Sequence, residues 1–183
     1  MALRQRVPAI PTAYRGVQFR SRLEARWAAF FDALRWDWSY EPIDLAGYIA
    51  DFVLVFGAGS VLVEVKPATT TNELVEHRAR VESSGWSGEA LLVGASLWCL
   101  DEANPRLGEL GRPLKTPWGV EWEWGEARAF RCLSCGSASV LDATGSWHCR
   151  ACGVPDRHVG TLGPGELEAL WAGAGNRVQW RAA

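Results

Sequence analysis

Across residues 21–34 the apolar positions Leu23, Trp27, Phe30, Phe31 and Leu34 recur at helical spacing and mark one buried helix face. Glu24 shares its stripe with Ala28 and Phe31, at i+4 and i+7, so it borders that face instead of pointing to water. The period then changes. Residues 48–56 and 60–66 are rich in β-branched and aromatic side chains with Gly57, Ala58, Gly59 and Ser60 at the turn, which predicts a β-hairpin. Thr70 and Glu73 have capping-box spacing ahead of a second helix that runs to about Ser83 and stops at Gly85. The apolar run 90–95 reads as a buried strand. Over 101–130, Pro105, Pro113 and Pro117 interrupt the chain, and alternation of Val120, Trp122 and Trp124 marks one strand on a linker into a smaller unit. The order helix, strand, strand, helix, strand implies an α/β domain with a mixed central sheet covered by helices, without internal repeats.

Two acids and a lysine sit on this apolar hairpin. Side chains alternate faces along a strand, so Asp51 points with Val53 and Val55, and Glu64 shares a face with Lys66. If Phe56 opposes Val61, Asp51 stands opposite Lys66 and diagonal to Glu64. Carboxylates this close can share a divalent cation, and buried charges are costly unless paired or metal-bound. A plain salt bridge between Lys66 and one acid is the competing reading. For Glu24 the competing reading is a surface pair with Arg20 or Arg26, and His77 reads as a surface residue.

Asp51, twelve intervening residues that begin with Phe52, and then Glu64-Val65-Lys66 resemble the core motif of the PD-(D/E)XK nuclease superfamily. The preceding helix, SRLEARWAAFFDAL, is similar to the one on which its phage-type and transposon-end-cleaving branches carry a metal-binding Glu, here Glu24. The resemblance covers about residues 14–98; it departs from the family at Ala50, where a Pro is frequent. It implies a restriction-endonuclease-like αβββαβ core and Mg²⁺- or Mn²⁺-dependent hydrolysis of nucleic acid, DNA ahead of RNA. Asp51, Glu64 and the Val65 carbonyl would hold the metal, Lys66 would orient the attacking water, and Glu24 would complete the metal shell or hold Lys66. The alternative is a catalytically inactive binding module that keeps the fold.

Cys132 and Cys135 form one C-x₂-C knuckle and Cys149 and Cys152 a second, each followed by a glycine, Gly136 and Gly153. Paired thiolates at this spacing suit a structural tetrahedral Zn²⁺, which substitutes for the core that so short a segment lacks. Disulfides and an iron–sulfur cluster are the competing readings; His148 stands beside Cys149, and Cys99 is left as a core thiol. Four cysteines leave no open zinc position for a deaminase. The expected divisions are a basic arm over 1–20, the nuclease-like core over 21–128, the zinc ribbon over 129–160, and a C-terminal helix and tail over 161–183.

Composition narrows the partners. Of 183 residues, 48% are hydrophobic and 22% charged, which excludes a disordered chain. The net charge of -2 argues against a uniformly basic coat protein, but seven arginines against Glu24 and Asp32 within residues 1–35 make the front of the chain basic. Arg4, Arg6, Arg15, Arg20 and Arg22 are candidates for phosphate contact, as are Arg131, Arg150 and Arg157 with Trp147 on the ribbon; Arg177, Trp180 and Arg181 are ambiguous. A solvated helix face is the competing reading of the arm. No apolar run reaches membrane-spanning length and no apolar signal core follows Met1, so the expected location is cytoplasmic with no membrane partner. Cutting both strands with one active site per chain would favour a homodimer.

Overall fold

A computed structural model of the chain describes residues 9–45, 47–57, 59–98, 105–142, 148–155 and 159–179. Arg4, Arg6, Cys99, Trp147, Arg157, Trp180 and Arg181 lie outside them. A short hairpin, β1 (Thr12–Tyr14) and β2 (Val17–Phe19), leads into α1 (Arg22–Ala33). Then follow β3 (Asp37–Tyr40), β4 (Phe52–Phe56), β5 (Gly59–Val65), α2 (Thr71–Glu82), β6 (Glu89–Trp98), β7 (Arg106–Thr116), β8 (Gly119–Cys132), β9 (Ala138–Asp142), β10 (Val159–Thr161) and α3 (Pro164–Arg177). The mixed sheet runs β10-β8-β7-β6-β5-β4-β3, with β9 also on β8; β5 and β6 are parallel and α2 connects them.

Strand alternation divides the core into two layers. Phe52, Leu54, Val61, Val63, Val65, Leu91 and Val93 face α1 and α3, whereas Leu62, Ala90 and Leu92 face Leu74 and Val81 of α2. In the first layer Trp27 is fully buried, with ring centroids 5.4 Å from Phe30 and 4.6 Å from Trp171 of α3, and its indole N–H donates to the Gly94 carbonyl at 2.9 Å. Trp27→Ala should cost about 3–5 kcal/mol and lower the melting temperature by about 10 °C, read by calorimetry. An unchanged transition would contradict this packing.

Expectations change at the hairpin register, at segment 106–132 and at the cap of α2. In the hairpin Phe56 pairs with Gly59, not Val61, so the register shifts by two residues and Asp51 lies opposite Glu64. An even shift keeps every side chain on its expected face. Segment 106–132 is not a linker: β7 and β8 are the longest strands of the described sheet. The turn chemistry misled because Pro113 sits beyond Ala90↔Gly111, the end of the β6–β7 ladder at the hairpin side, where a missing N–H breaks no bond to β6. Thr70 is the N-cap of α2 but makes no side-chain cap bond; the Glu73 carboxylate accepts from the Thr69 amide at 2.7 Å instead. The division expected between 128 and 129 falls inside β8, whose end is paired on both edges, by β9 and by β10. No helix among the described residues is long and apolar enough to cross a membrane.

Candidate active site and metal centre

The hairpin carries its acids at the end of β4 and β5 remote from their turn. Asp51 and Glu64 are 4% and 3% exposed, on the α2 side of the sheet with Tyr48 and Leu62. Asp51 Oδ2 accepts from the Val65 amide at 2.7 Å and Oδ1 accepts from Arg20 Nη2 at 2.8 Å. Glu64 accepts from the Tyr48 hydroxyl at 2.9 Å and pairs with the Lys66 ammonium, whose side chain is 18% exposed. Burial, reinforced by the charge of Glu64, pushes Asp51 up to about 7, against the opposing effects of Lys66 and the Val65 amide. Burial and then Glu64 likewise raise Tyr48, which stays a donor. Tyr48→Phe removes a donor from a buried carboxylate and should lower stability by about 1–3 kcal/mol, read from the denaturant midpoint. No change would mean that Tyr48 does not hold Glu64.

Glu24 reaches this cluster indirectly. Ser21 caps α1, accepting from the Glu24 amide at 3.1 Å, and its hydroxyl donates to Glu24 Oε1 at 2.7 Å. Glu24 Oε2 accepts from Tyr40 at 2.6 Å, and the Tyr40 oxygen accepts from the Arg20 amide at 3.1 Å. Burial and the bond to Glu24 push Tyr40 up to about 12. Glu24 is therefore buried and hydrogen-bonded to hydroxyls, not paired with Arg20 or Arg26 at the surface. Glu24, Asp51 and Glu64 do not form a set with all ligand oxygens within 4.8 Å. The sequence pattern missed Arg20 as a partner of Asp51, and missed Tyr40 and Tyr48, because none shares a periodic face with the acids.

The other arginines are placed differently. Arg15 pairs with Asp32 at 2.8 Å, and Arg20 also pairs with Glu41 at 2.7 Å. Arg22 is exposed and lines a groove of about 360 Å³ with Glu24 and Val65. Arg131 bonds Glu166 of α3 at 2.5 Å and the Gly136 carbonyl at 3.2 Å. Arg150 bonds the Val140 carbonyl at 2.7 Å and pairs with Glu89 of β6. Arg131 thus ties the first knuckle to α3, and Arg150 ties the second to the main sheet. His77 is half-buried, with its pKa lowered by burial and then by the charge of Lys66.

The four cysteines converge. Among the described residues they form the group in which three or more ligand atoms all lie within 4.8 Å. Cys132 Sγ is 3.7 Å from Cys152 Sγ, and Cys135 Sγ is 3.6 Å from Cys149 Sγ. Sulfurs at about 2.3 Å from a tetrahedral zinc stand about 3.7–3.8 Å apart, whereas a disulfide needs about 2.05 Å. All four are free thiols, and the geometry is compatible with a zinc site. The knuckles repeat one backbone turn: Gly136 N donates to Cys132 O and Gly153 N to Cys149 O, both at 2.8 Å, with φ of +74° and +73° that favour glycine. Bonds from Ser137 bring Cys135 down to about 6. Against the lowering bond from the Val154 amide, desolvation and the three neighbouring thiols together push Cys152 up to about 12. Thiols competing for protons in this way would all ionise around a dication.

Comparison of the chain with family models, with curated proteins and with solved structures returned no match.

Proposed function

We propose that the protein is a divalent-metal-dependent nuclease with a restriction-endonuclease-like core, DNA as its substrate, and a zinc-bound ribbon. The observation that carries this reading is the pair of buried carboxylates, Asp51 and Glu64, side by side across β4 and β5 with Lys66 at their rim. Hard oxygen donors in this number fit Mg²⁺ or Mn²⁺, which bind through one or two carboxylates and keep several waters. A bound cation would neutralise charge on the phosphate and lower the pKa of a water. Asp51 and Glu64 hold that cation, and the Val65 amide and Tyr48 fix their orientation. The Val65 carbonyl is a further ligand candidate. Lys66, the more exposed member of its pair, orients the attacking water and offsets charge on the phosphate. Glu24 acts from the outer layer, through Tyr40 and the Arg20 backbone.

Arg20 and Lys66 already neutralise both acids from within the chain, which favours a second reading, a non-catalytic nucleic-acid-binding module. Metal dependence separates the two. Zinc-loaded protein freed of other cations should not cut duplex, single-stranded or branched DNA, and millimolar Mg²⁺ or Mn²⁺ should start cutting. Binding without cutting under every condition would favour the second reading.

A further inference from the structure

The β7–β8 hairpin continues past the sheet. At this end β6 pairs with β7 as far as Ala90↔Gly111, while β7 and β8 stay paired to Thr116↔Gly119, so residues 112–123 form a projecting two-stranded ribbon. Its tip is the Pro117-Trp118 turn. The Trp118 amide donates to Thr116 Oγ1 at 3.3 Å, and that hydroxyl donates to the Gly119 carbonyl at 3.1 Å, which fixes the turn. Trp118 is 91% exposed and Val120 60%. A solvated indole on a fixed turn beside further exposed apolar surface marks an interaction site.

A receptor for such a side chain lies under the same ribbon. Trp86, Pro113, Val120 and Trp122 wall a groove of about 210 Å³ that has Lys115 and Glu82 at its rim. The Trp86 indole N–H donates to the Glu89 carbonyl at 2.9 Å, so this wall is fixed. The ribbon carries Arg112, Lys115, Glu121 and Glu123, two charges of each sign, and Arg112 pairs with Glu123 across the strands. That neutral surface offers nothing to attract a phosphate backbone. It suits its own copy, since Lys115 at one groove can meet Glu82 or Glu121 of the other. Burying two indoles at about 200 Å² each, with matching area on the groove walls, removes about 800 Å² or more, the scale of a transient dimer.

We propose that the chain forms a two-fold dimer in which Trp118 of each copy enters the Trp86–Trp122 groove of the other. The arrangement is isologous and closes after two copies. It is independent of the nuclease reading. Sedimentation of the full zinc-loaded chain from about 1 to about 200 µM should show the mass rise from 20.1 kDa toward twice that value. Trp118→Ser should stay at the monomer mass, and Ser87→Arg, which blocks the groove from its exposed edge and spares Trp118, should do the same. Circular dichroism and zinc content would confirm that both variants fold. A wild type that stays monomeric, or a Trp118→Ser variant that still dimerises, would overturn the proposal. A monomer whose affinity for a DNA oligonucleotide falls about fivefold or more on Trp118→Ser would overturn it in favour of a base-stacking tip.

Discussion

Replacing Cys149 by Ser should drop bound zinc from about one per chain to near zero and lower the melting temperature by about 10 °C or more. The size of the effect follows from where the thiols sit. Cys132 ends β8, and the last residues of β8 are paired by β9 on one edge and β10 on the other. Structural zinc supplies about 10–16 kcal/mol of apparent binding free energy in finger peptides, and Leu133, inside the first knuckle, is exposed and adds no core to replace it. Damage should be graded. Amides of β9 and β10 should lose hydrogen-exchange protection first, while those of α1 and β4 to β6, held by the two apolar layers, should keep theirs. Full zinc content and an unshifted transition in Cys149→Ser would contradict a four-thiolate centre.

Lys66→Ala and Asp51→Asn should both reduce cleavage, by about 10³-fold or more, but for different reasons. Lys66 pairs with Glu64 and is not a ligand in the proposed site, so its removal should leave Mn²⁺ binding measurable by calorimetry or electron paramagnetic resonance. Asp51→Asn removes a charge from the proposed metal site and should weaken Mn²⁺ binding as well as cutting. The Asn carbonyl can still accept from the Val65 amide, so this variant should remain folded. Equal loss of Mn²⁺ affinity in both variants would contradict the division of roles between ligand and water-orienting lysine.

Helical spacing made α1 legible, capping-box spacing and the stop at Gly85 made α2 legible, and apolar β-branched runs buried on both faces marked the β4–β5 hairpin and β6. Both acids, Lys66 and the four cysteines were legible as residue types at meaningful intervals. β3 was not: Asp37-Trp38-Ser39-Tyr40 is too short and polar to signal a strand, and it forms because β4 offers an edge. β7 was hidden by Gly108, Gly111 and Pro113. Two of these are required by the sheet, since a Cβ on Gly108 would strike the Leu92 carbonyl and one on Gly111 the Trp124 ring. The hairpin register depended on a turn shorter than expected. The Arg20, Tyr40 and Tyr48 contacts join segments far apart in sequence, and no local pattern encodes which of them meet.

Single-turnover cleavage reads out whether the buried pair, Asp51 just before β4 and Glu64 on β5, hydrolyses phosphodiester bonds with a divalent cation. Wild type and Asp51→Asn at equal zinc content would be compared on duplex, single-stranded and branched DNA in Mg²⁺ and in Mn²⁺. Cutting of at least one substrate by wild type, lost by about 10³-fold in Asp51→Asn, is the predicted result. Equal cutting by both proteins, or none by wild type on any substrate, would contradict it.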